Sequence, residues 1–139
     1  MAIPFLACMV LVASWNHLPP RVLPSIQVVE GGRIGLVHAN GDRSEDLGLM
    51  QVNTRWVPAL ARYTGSPEPV IRARLINEAC FNIAAAGAIM AVYLAEEKGD
   101  LLRAVGDYHS HTPALNHGYQ AQVMAAARAM FSPRATSRR

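Results

Sequence analysis

The sequence has few aromatic residues, few charged residues and only two cysteines. Aromatic residues make up 6% of the 139 positions and charged residues 17%, whereas hydrophobic residues make up 51%. Nucleic-acid binding usually needs a basic stripe interleaved with aromatic residues, so this composition excludes nucleic acid as the expected partner. The same composition is too apolar for a disordered chain, and the length favours one globular domain.

The net charge is mildly positive, at +3, and part of the excess lies at the C-terminus. Because Arg134, Arg138 and Arg139 follow the last apolar residues, we expect residues 134–139 to form a basic disordered tail. The folded domain is then expected to cover residues 1–133. A mild positive charge suits an anionic polymer such as a cell wall.

The two cysteines, Cys8 and Cys80, are far apart in the sequence. Their spacing matches no zinc-binding or redox motif, so these thiols are not expected to hold a metal. Composition alone leaves two interpretations open: two buried thiols, or a disulfide that joins an N-terminal helix to a later one. A disulfide would indicate an oxidising compartment such as the periplasm.

The apolar stretch of residues 2–13 resembles the hydrophobic part of an export signal. No lysine or arginine precedes it, since the first positive residue is Arg21, and it is too short to span a membrane. It is therefore either a buried helix of the domain or a truncated export signal. If Cys8 belongs to the mature domain, export is expected to use a segment upstream or another route.

The spacing of apolar residues predicts a mainly α fold without internal repeats. Helices are predicted over residues 5–15, 22–30, 49–63 with an interruption at Pro58, 70–98, 101–105 with Asp100 as the cap, and 119–131. Gly87 and its alanine neighbours indicate a close helix contact. Residues 31–48 are expected to form a loop or a short irregular hairpin, and residues 109–118 a loop.

Glu30 is the first candidate for catalysis. It follows the apolar residues Ile26, Val28 and Val29 at a predicted helix end and precedes two glycines. A carboxyl group among apolar neighbours has its charged form disfavoured, so its pKa rises and it can donate a proton near neutral pH. Taken alone, however, a glutamate at a helix end is more often simply solvated.

Four short motifs follow one another along the chain: "QVVEGG" (27–32), "DLGLMQVN" (46–53), "NEACFNIAAAG" (77–87) and "AVGDYHS" (104–110). In this order and at these spacings they resemble the family 1 lytic transglycosylases, which have a goose-lysozyme-like α domain. The resemblance extends from about Cys8 to Met130. It is strongest with the branch that opens peptidoglycan for conjugation, type IV secretion and related envelope-spanning machines.

The resemblance implies a single lysozyme-like domain and gives roles to five residues. Glu30 would be the catalytic acid/base, Met50, Gln51 and Tyr108 would line the sugar cleft, and Asn53 would support them. Met50 would offer a polarizable apolar face, and Gln51 would orient the sugar. Tyr108 would either lay its ring against the sugar or hydrogen-bond Glu30 through its hydroxyl, and both roles stay open.

The motif "DLGLMQVN" also contains Gly48, which would let the backbone turn close to the glycan. Two departures from the family's pattern stand out. Gly31 occupies the place where most members have serine, and the segment 108–111 (Tyr-His-Ser-His) replaces the more common "YNAG"-like motif. His109, His111 and His117 are expected to be loop residues rather than metal ligands.

Glycoside hydrolysis usually needs two carboxylates, and Glu45 and Asp46 are the candidates for the second. The resemblance implies another mechanism, in which Glu30 protonates the leaving oxygen and then deprotonates the muramic acid's own 6-hydroxyl. That hydroxyl closes a 1,6-anhydro ring, so no second carboxylate, metal or cofactor is required, and Asp46 would be structural. Two alternatives remain: a lysozyme-type muramidase that uses Glu45 or Asp46, and a non-catalytic peptidoglycan-binding assembly module.

The resemblance bears on the cysteines and on the partners as well. Members of this branch often carry bridged cysteines at the positions that correspond to Cys8 and Cys80, which implies a disulfide here. The implied partners are peptidoglycan glycan strands and components of a conjugation or secretion apparatus. The protein is expected to be a periplasmic monomer.

Overall fold

A computed structural model describes residues 2–132, which form a mainly helical domain with one small sheet, so the predicted mainly α class is confirmed. The helices are α1 (Leu6–Trp15), α2 (Val22–Glu30), α3 (Val57–Thr64), α4 (Glu68–Asn77), α5 (Ala79–Glu96), α6 (Leu101–His109) and α7 (Pro113–Phe131). The strands are β1 (Val37–Ala39), β2 (Glu45–Leu47) and β3 (Val52–Asn53), and a short 3-10 helix (Thr54–Trp56) follows them. The predicted basic tail, residues 134–139, lies outside the described residues.

The three strands form an antiparallel sheet in the order β1-β2-β3. Val37 pairs with Leu47 in the first ladder, and Asp46 pairs with Asn53 in the second. The hairpin foreseen within residues 31–48 is confirmed, whereas the third strand was not expected. Strands of two or three residues are too short to show the alternation that marks a strand in a sequence.

Helix α5 lies in the core, where it packs against α1, α4 and α6, while α2 packs against α7. Gly87 lies where α1 meets α5, and a Cβ at this position would collide with the Val12 side chain. The close helix contact predicted at Gly87 is therefore confirmed. Among the described helices, α5 alone is long and apolar enough to cross a membrane, but half of it is buried within the protein.

Helix α1 belongs to the folded domain. Met9 and Val12 are buried in the core, and Cys8 forms a disulfide with Cys80 near the start of α5. The structure thus confirms the bridge and supports the domain-helix interpretation of residues 2–13. A disulfide is typical of proteins outside the reducing cytosol, so it indicates an oxidising compartment.

The helix predicted over residues 70–98 is in fact two helices, α4 and α5. Glu78 separates them in an extended conformation, with φ −116° and ψ 106°. Asn82 donates hydrogen bonds from Nδ2 to the carbonyl oxygens of Leu75 and Leu47, both at 2.8 Å. This side chain satisfies a carbonyl near the end of α4 and ties the break to the sheet, which an apolar pattern does not reveal.

Two prolines lie in the first turns of helices whose bounds differ from the predicted ones. Pro58 was expected to interrupt a helix over residues 49–63, but it is the second residue of α3. Pro113 was expected in a loop over residues 109–118, but it opens α7. Proline suits the first turn of a helix because its missing N–H would have no partner there.

Candidate active site

A polar cleft lies where α2 ends, between the sheet and the C-terminal end of α6. Its volume is about 250 Å³. Four of the predicted site residues line it, namely Glu30, Gln51, Asn53 and Tyr108. Residues from three separate segments of the chain therefore meet in one concave surface, as a substrate site requires.

Glu30 is the last residue of α2 and lies half-buried in the wall of this cleft. Burial raises the pKa of the Glu30 carboxyl above its ordinary value, because the charged form loses hydration. A hydrogen bond from Tyr119 acts in the opposite direction, and the negative charge of Asp46 adds to the rise. A raised pKa keeps the carboxyl protonated closer to neutral pH, which suits a general acid.

The side chain that contacts Glu30 is Tyr119, which the sequence analysis did not single out. Its hydroxyl donates a 2.6 Å hydrogen bond to Oε2 of Glu30. The ring of His109 stacks on the Tyr119 ring, with centroids 5.1 Å apart and planes 11° apart. Because Tyr119 lies 89 positions after Glu30, no local motif could have linked the two residues.

If Glu30 serves as a general acid, Tyr119→Phe is expected to move the basic limb of the pH–rate profile of the reaction to higher pH. The hydroxyl stabilises the charged form of Glu30, so its loss raises the carboxyl pKa further and the acid stays protonated at higher pH. Turnover at the optimum should fall by about 10-fold or less, as expected for one hydrogen bond. Tyr63→Phe, at an exposed tyrosine, is the matched control. A basic limb in Tyr119→Phe at the same pH as in wild type would contradict the role of the Tyr119 hydroxyl.

The Met50 side chain does not line the cleft, which corrects the prediction. It is 0% exposed and packs in the hydrophobic core, where an apolar thioether is most stable. The Met50 backbone contributes instead, since its N–H donates to Oδ1 of Asn82 and its carbonyl accepts from the Tyr108 hydroxyl, both at 2.8 Å. The Tyr108 hydroxyl donates its proton to the Met50 carbonyl, so the structure shows no hydrogen bond from this hydroxyl to Glu30 among residues 2–132.

Gln51 lines the cleft in an unusual backbone conformation. Its φ is 54°, in the left-handed region that few residues other than glycine adopt. The side-chain nitrogen donates a 3.0 Å hydrogen bond to the carbonyl of Gly48, which sets the orientation of the amide. The amide oxygen is then the atom that remains to accept a hydrogen bond from a bound molecule. Backbone strain of this kind is often found at functional sites.

Gly48 faces the core rather than the cleft. Its φ is 70°, and a Cβ there would collide with the carbonyl oxygen of Leu75. The expectation that Gly48 brings the backbone close to a glycan is therefore corrected: this glycine permits close packing of the turn against the end of α4.

Asn53 and Asp46 brace the edge of the cleft. Nδ2 of Asn53 donates to Oδ1 of Asp46 at 2.9 Å and to Oγ of Ser44 at 3.0 Å. Oδ1 of Asn53 accepts a hydrogen bond from the backbone N–H of Arg55, which caps the short 3-10 helix. The structure thus places Asn53 in a supporting position and ties Asp46 to the segment that follows it.

Arg55 and Trp56 also line the cleft, although the sequence analysis did not single them out. Arg55 donates to the Tyr93 hydroxyl at 3.4 Å, and the rings of Trp56 and Tyr93 pack edge to face. His109 lies at the end of α6, not in a loop as predicted, and lines the same cleft. Composition offered no signal for these residues, because only the fold brings them to the site.

No protein-family model and no curated protein matches this sequence. Two observations therefore point to a function: the four short motifs and the geometry of the cleft. The two observations meet at Glu30, Gln51, Asn53 and Tyr108, which belong to the motifs and also line the cleft.

Proposed function

We propose that this protein is a peptidoglycan lytic transglycosylase with a lysozyme-like fold, acting in the periplasm. The observation that carries the proposal is one half-buried glutamate at a helix end, with a raised pKa and a tyrosine hydroxyl bonded to it, in a polar cleft. The resemblance of the motifs supplies the substrate class. The disulfide agrees with a location in the oxidising periplasm.

The reaction needs one acid that later acts as a base. Protonated Glu30 gives its proton to the oxygen between C1 of N-acetylmuramic acid and C4 of N-acetylglucosamine. The C1–O bond breaks, and the N-acetylglucosamine leaves with a free 4-hydroxyl while positive charge builds at C1. The Glu30 carboxylate then removes the proton from the 6-hydroxyl, whose oxygen bonds to C1. Glu30 ends protonated, and no water is consumed.

The surroundings of Glu30 suit both halves of this cycle. Burial favours the protonated form that the first step needs, whereas the Tyr119 hydroxyl stabilises the carboxylate that the second step needs. The amide of Gln51 is oriented by the turn and can position a sugar group. Arg55 brings positive charge to the cleft, which suits the carboxylates of a peptidoglycan peptide stem.

The product of the wild-type protein tests the proposal. Purified peptidoglycan is digested, and the released muropeptides are analysed by mass spectrometry. We expect 1,6-anhydromuramic ends, which are lighter by one water than reducing ends. Reducing ends would show a muramidase instead. Retained binding without any release would show a non-catalytic peptidoglycan-binding module instead.

A lysozyme-type muramidase is the second candidate because Asp46 lines the same cleft as Glu30. Glu45, the other carboxylate considered, accepts two hydrogen bonds from Arg72, at 2.8 and 3.1 Å, and lines a different pocket. Neighbouring residues of a strand point to opposite faces, so only one of this pair can face the cleft. Hydrolysis would therefore depend on Asp46 as the base that activates water.

Asp46→Asn separates these two mechanisms. Asparagine keeps an oxygen for the hydrogen bond from Asn53, so we expect turnover within about 10-fold of wild type and unchanged anhydro products. Loss of the negative charge should also lower the pKa of Glu30 and move the basic limb of the pH–rate profile to lower pH. A loss of about 10²- to 10⁴-fold, as expected for a catalytic base, would favour the muramidase.

A further inference from the structure

A second cluster of polar side chains lies outside the cleft, where α5 ends and α6 joins α7. It consists of Glu96, Asp107 and His111, and the possible ligand atoms of the three lie within 4.8 Å of one another. Nε2 of His111 is 3.2 Å from Oε1 of Glu96 and 3.7 Å from Oδ1 of Asp107. None of the three side chains lines the cleft.

The Asp107 carboxylate faces His111 with its Oδ1 atom, and its other oxygen, Oδ2, is unsatisfied. The residue is only 2% exposed, and its Oδ2 is buried without a hydrogen-bond partner among the described residues. Its Oδ1 accepts a 2.9 Å hydrogen bond from Nδ2 of Asn116. A buried carboxylate oxygen that has lost water without gaining a partner destabilises the fold, so such an atom calls for an explanation.

We propose that Glu96, Asp107 and His111 form a binding site for a divalent transition-metal cation, with Zn²⁺ as the best fit. One imidazole and two carboxylates are ligands that Zn²⁺ accepts, at about 2.0–2.2 Å from the metal. Ligand atoms at that distance in a tetrahedron are about 3.4 Å apart. The observed separations of 3.2 and 3.7 Å lie on either side of this value. A water molecule would complete the coordination.

The charges around the site favour a cation. Glu97 pairs with Arg103 at 3.2 Å and adds negative charge beside Asp107. Among residues 2–132, the basic group that pairs with both Glu96 and Asp107 is the imidazole of His111. The hydrogen bond from Asn116 to Asp107 also matches metal sites, where a carboxylate ligand is usually held by a neighbour. A bound cation would offset the negative charge of Glu96 and of the buried Asp107 carboxylate.

The metal would join the end of α5, the end of α6 and the segment that leads to α7. Asp107 immediately precedes Tyr108, and His111 closely follows His109, and both of those neighbours line the cleft. The cation would thus hold the C-terminal end of α6 in place without taking part in the reaction. This proposal departs from the expectation that the protein uses no metal, and it does not depend on the transglycosylase proposal.

Isothermal titration of Zn²⁺ into the untagged, disulfide-bonded protein, freed of metal by a chelator, tests the site. At about pH 7.5, where an unperturbed imidazole is neutral, we expect one Zn²⁺ per chain and a higher Tm for the loaded protein. Ca²⁺ should bind much more weakly, because it prefers all-oxygen ligand sets.

His111→Ala and Glu96→Gln alter exposed side chains, so both variants should fold as judged by circular dichroism. Loss of a neighbour that only orients a ligand costs 10- to 100-fold in metal affinity, so loss of a ligand should cost at least about 100-fold. His117→Ala, at an exposed histidine outside the cluster, should bind like wild type. Absence of saturable Zn²⁺ binding by the wild type would overturn the proposal, and so would equal Zn²⁺ affinity in His111→Ala. A proton would then be the partner of the buried Asp107 oxygen.

Discussion

Glu30→Gln is expected to lower the release of anhydro-muropeptides by about 10²- to 10⁴-fold, the range for loss of a general acid. Glutamine has nearly the same shape and can still accept the hydrogen bond from Tyr119, but its amide has no acidic proton to transfer to the leaving oxygen. The rate is measured by mass spectrometry of the products that the wild type and the variant release from purified peptidoglycan.

Glu68→Gln, which changes an exposed glutamate in the first turn of α4, should leave this rate unchanged. A tenth of the wild-type rate corresponds to roughly 1.4 kcal/mol of lost transition-state stabilisation. A Glu30→Gln protein that kept at least this rate would show that another group supplies the proton. In that case Asp46, which lines the same cleft, would be the next carboxyl group to examine.

Stability gives a second readout for Glu30→Gln. Burial raises the pKa of Glu30 in the folded state above its ordinary value of 4.5, so the folded protein binds this proton more tightly than the unfolded chain. This contribution to stability is fully present below the pKa that Glu30 has in the unfolded chain. It is lost as the pH rises through the pKa that Glu30 has in the folded protein. Above that pH, Glu30→Gln should have a higher Tm than wild type; at about pH 4 the difference should vanish.

Asn82→Ala is expected to lower the free energy of unfolding by about 4 kcal/mol. The Asn82 side chain is fully buried and makes three hydrogen bonds of 2.8 Å, with the N–H of Met50 and the carbonyls of Leu47 and Leu75. Alanine leaves these backbone groups without a partner in the core, at a cost of roughly 1–3 kcal/mol for each group that stays unsatisfied. Urea unfolding of the disulfide-bonded protein measures the loss.

Asn77→Ala is the control for this substitution. Asn77 is exposed, and its Nδ2 donates only to the carbonyl of Ala73 within its own helix, so the change should stay within about 0.5 kcal/mol. Equal losses in the two variants would contradict the role assigned to Asn82. Because Asn82 also holds the turn that carries Gln51, we expect its loss to lower glycan cleavage even at temperatures where the variant is folded.

The parts of the fold that the sequence predicted depend on contacts between neighbours along the chain. Helix α2 covers the predicted residues Val22–Glu30, and α1 differs from its prediction by one residue. Asp100 caps α6 as expected, by accepting a hydrogen bond from the backbone N–H of Arg103. Apolar spacing and capping side chains act within one or two turns, so a sequence displays them directly.

Three of the features that it missed depend on contacts between distant segments. The break at Glu78 is held by Asn82 against the sheet, and the burial of Met50 follows from the direction of the turn after Gly48. Tyr119 reaches Glu30 only because α7 packs on α2. None of these contacts has a fixed spacing along the chain, so no periodic pattern indicates them.

The sequence by itself determined the mainly α class, the end of α2 at Glu30 and the pair of cysteines that form the bridge. The tertiary structure alone decided which side chains share the cleft, which hydroxyl contacts Glu30 and which oxygen of Asp107 lies buried without a partner among residues 2–132. The physical reason is that helix formation follows from local backbone and side-chain chemistry. The pKa of a carboxyl group, by contrast, depends on whatever charges, donors and apolar atoms the folded chain brings around it.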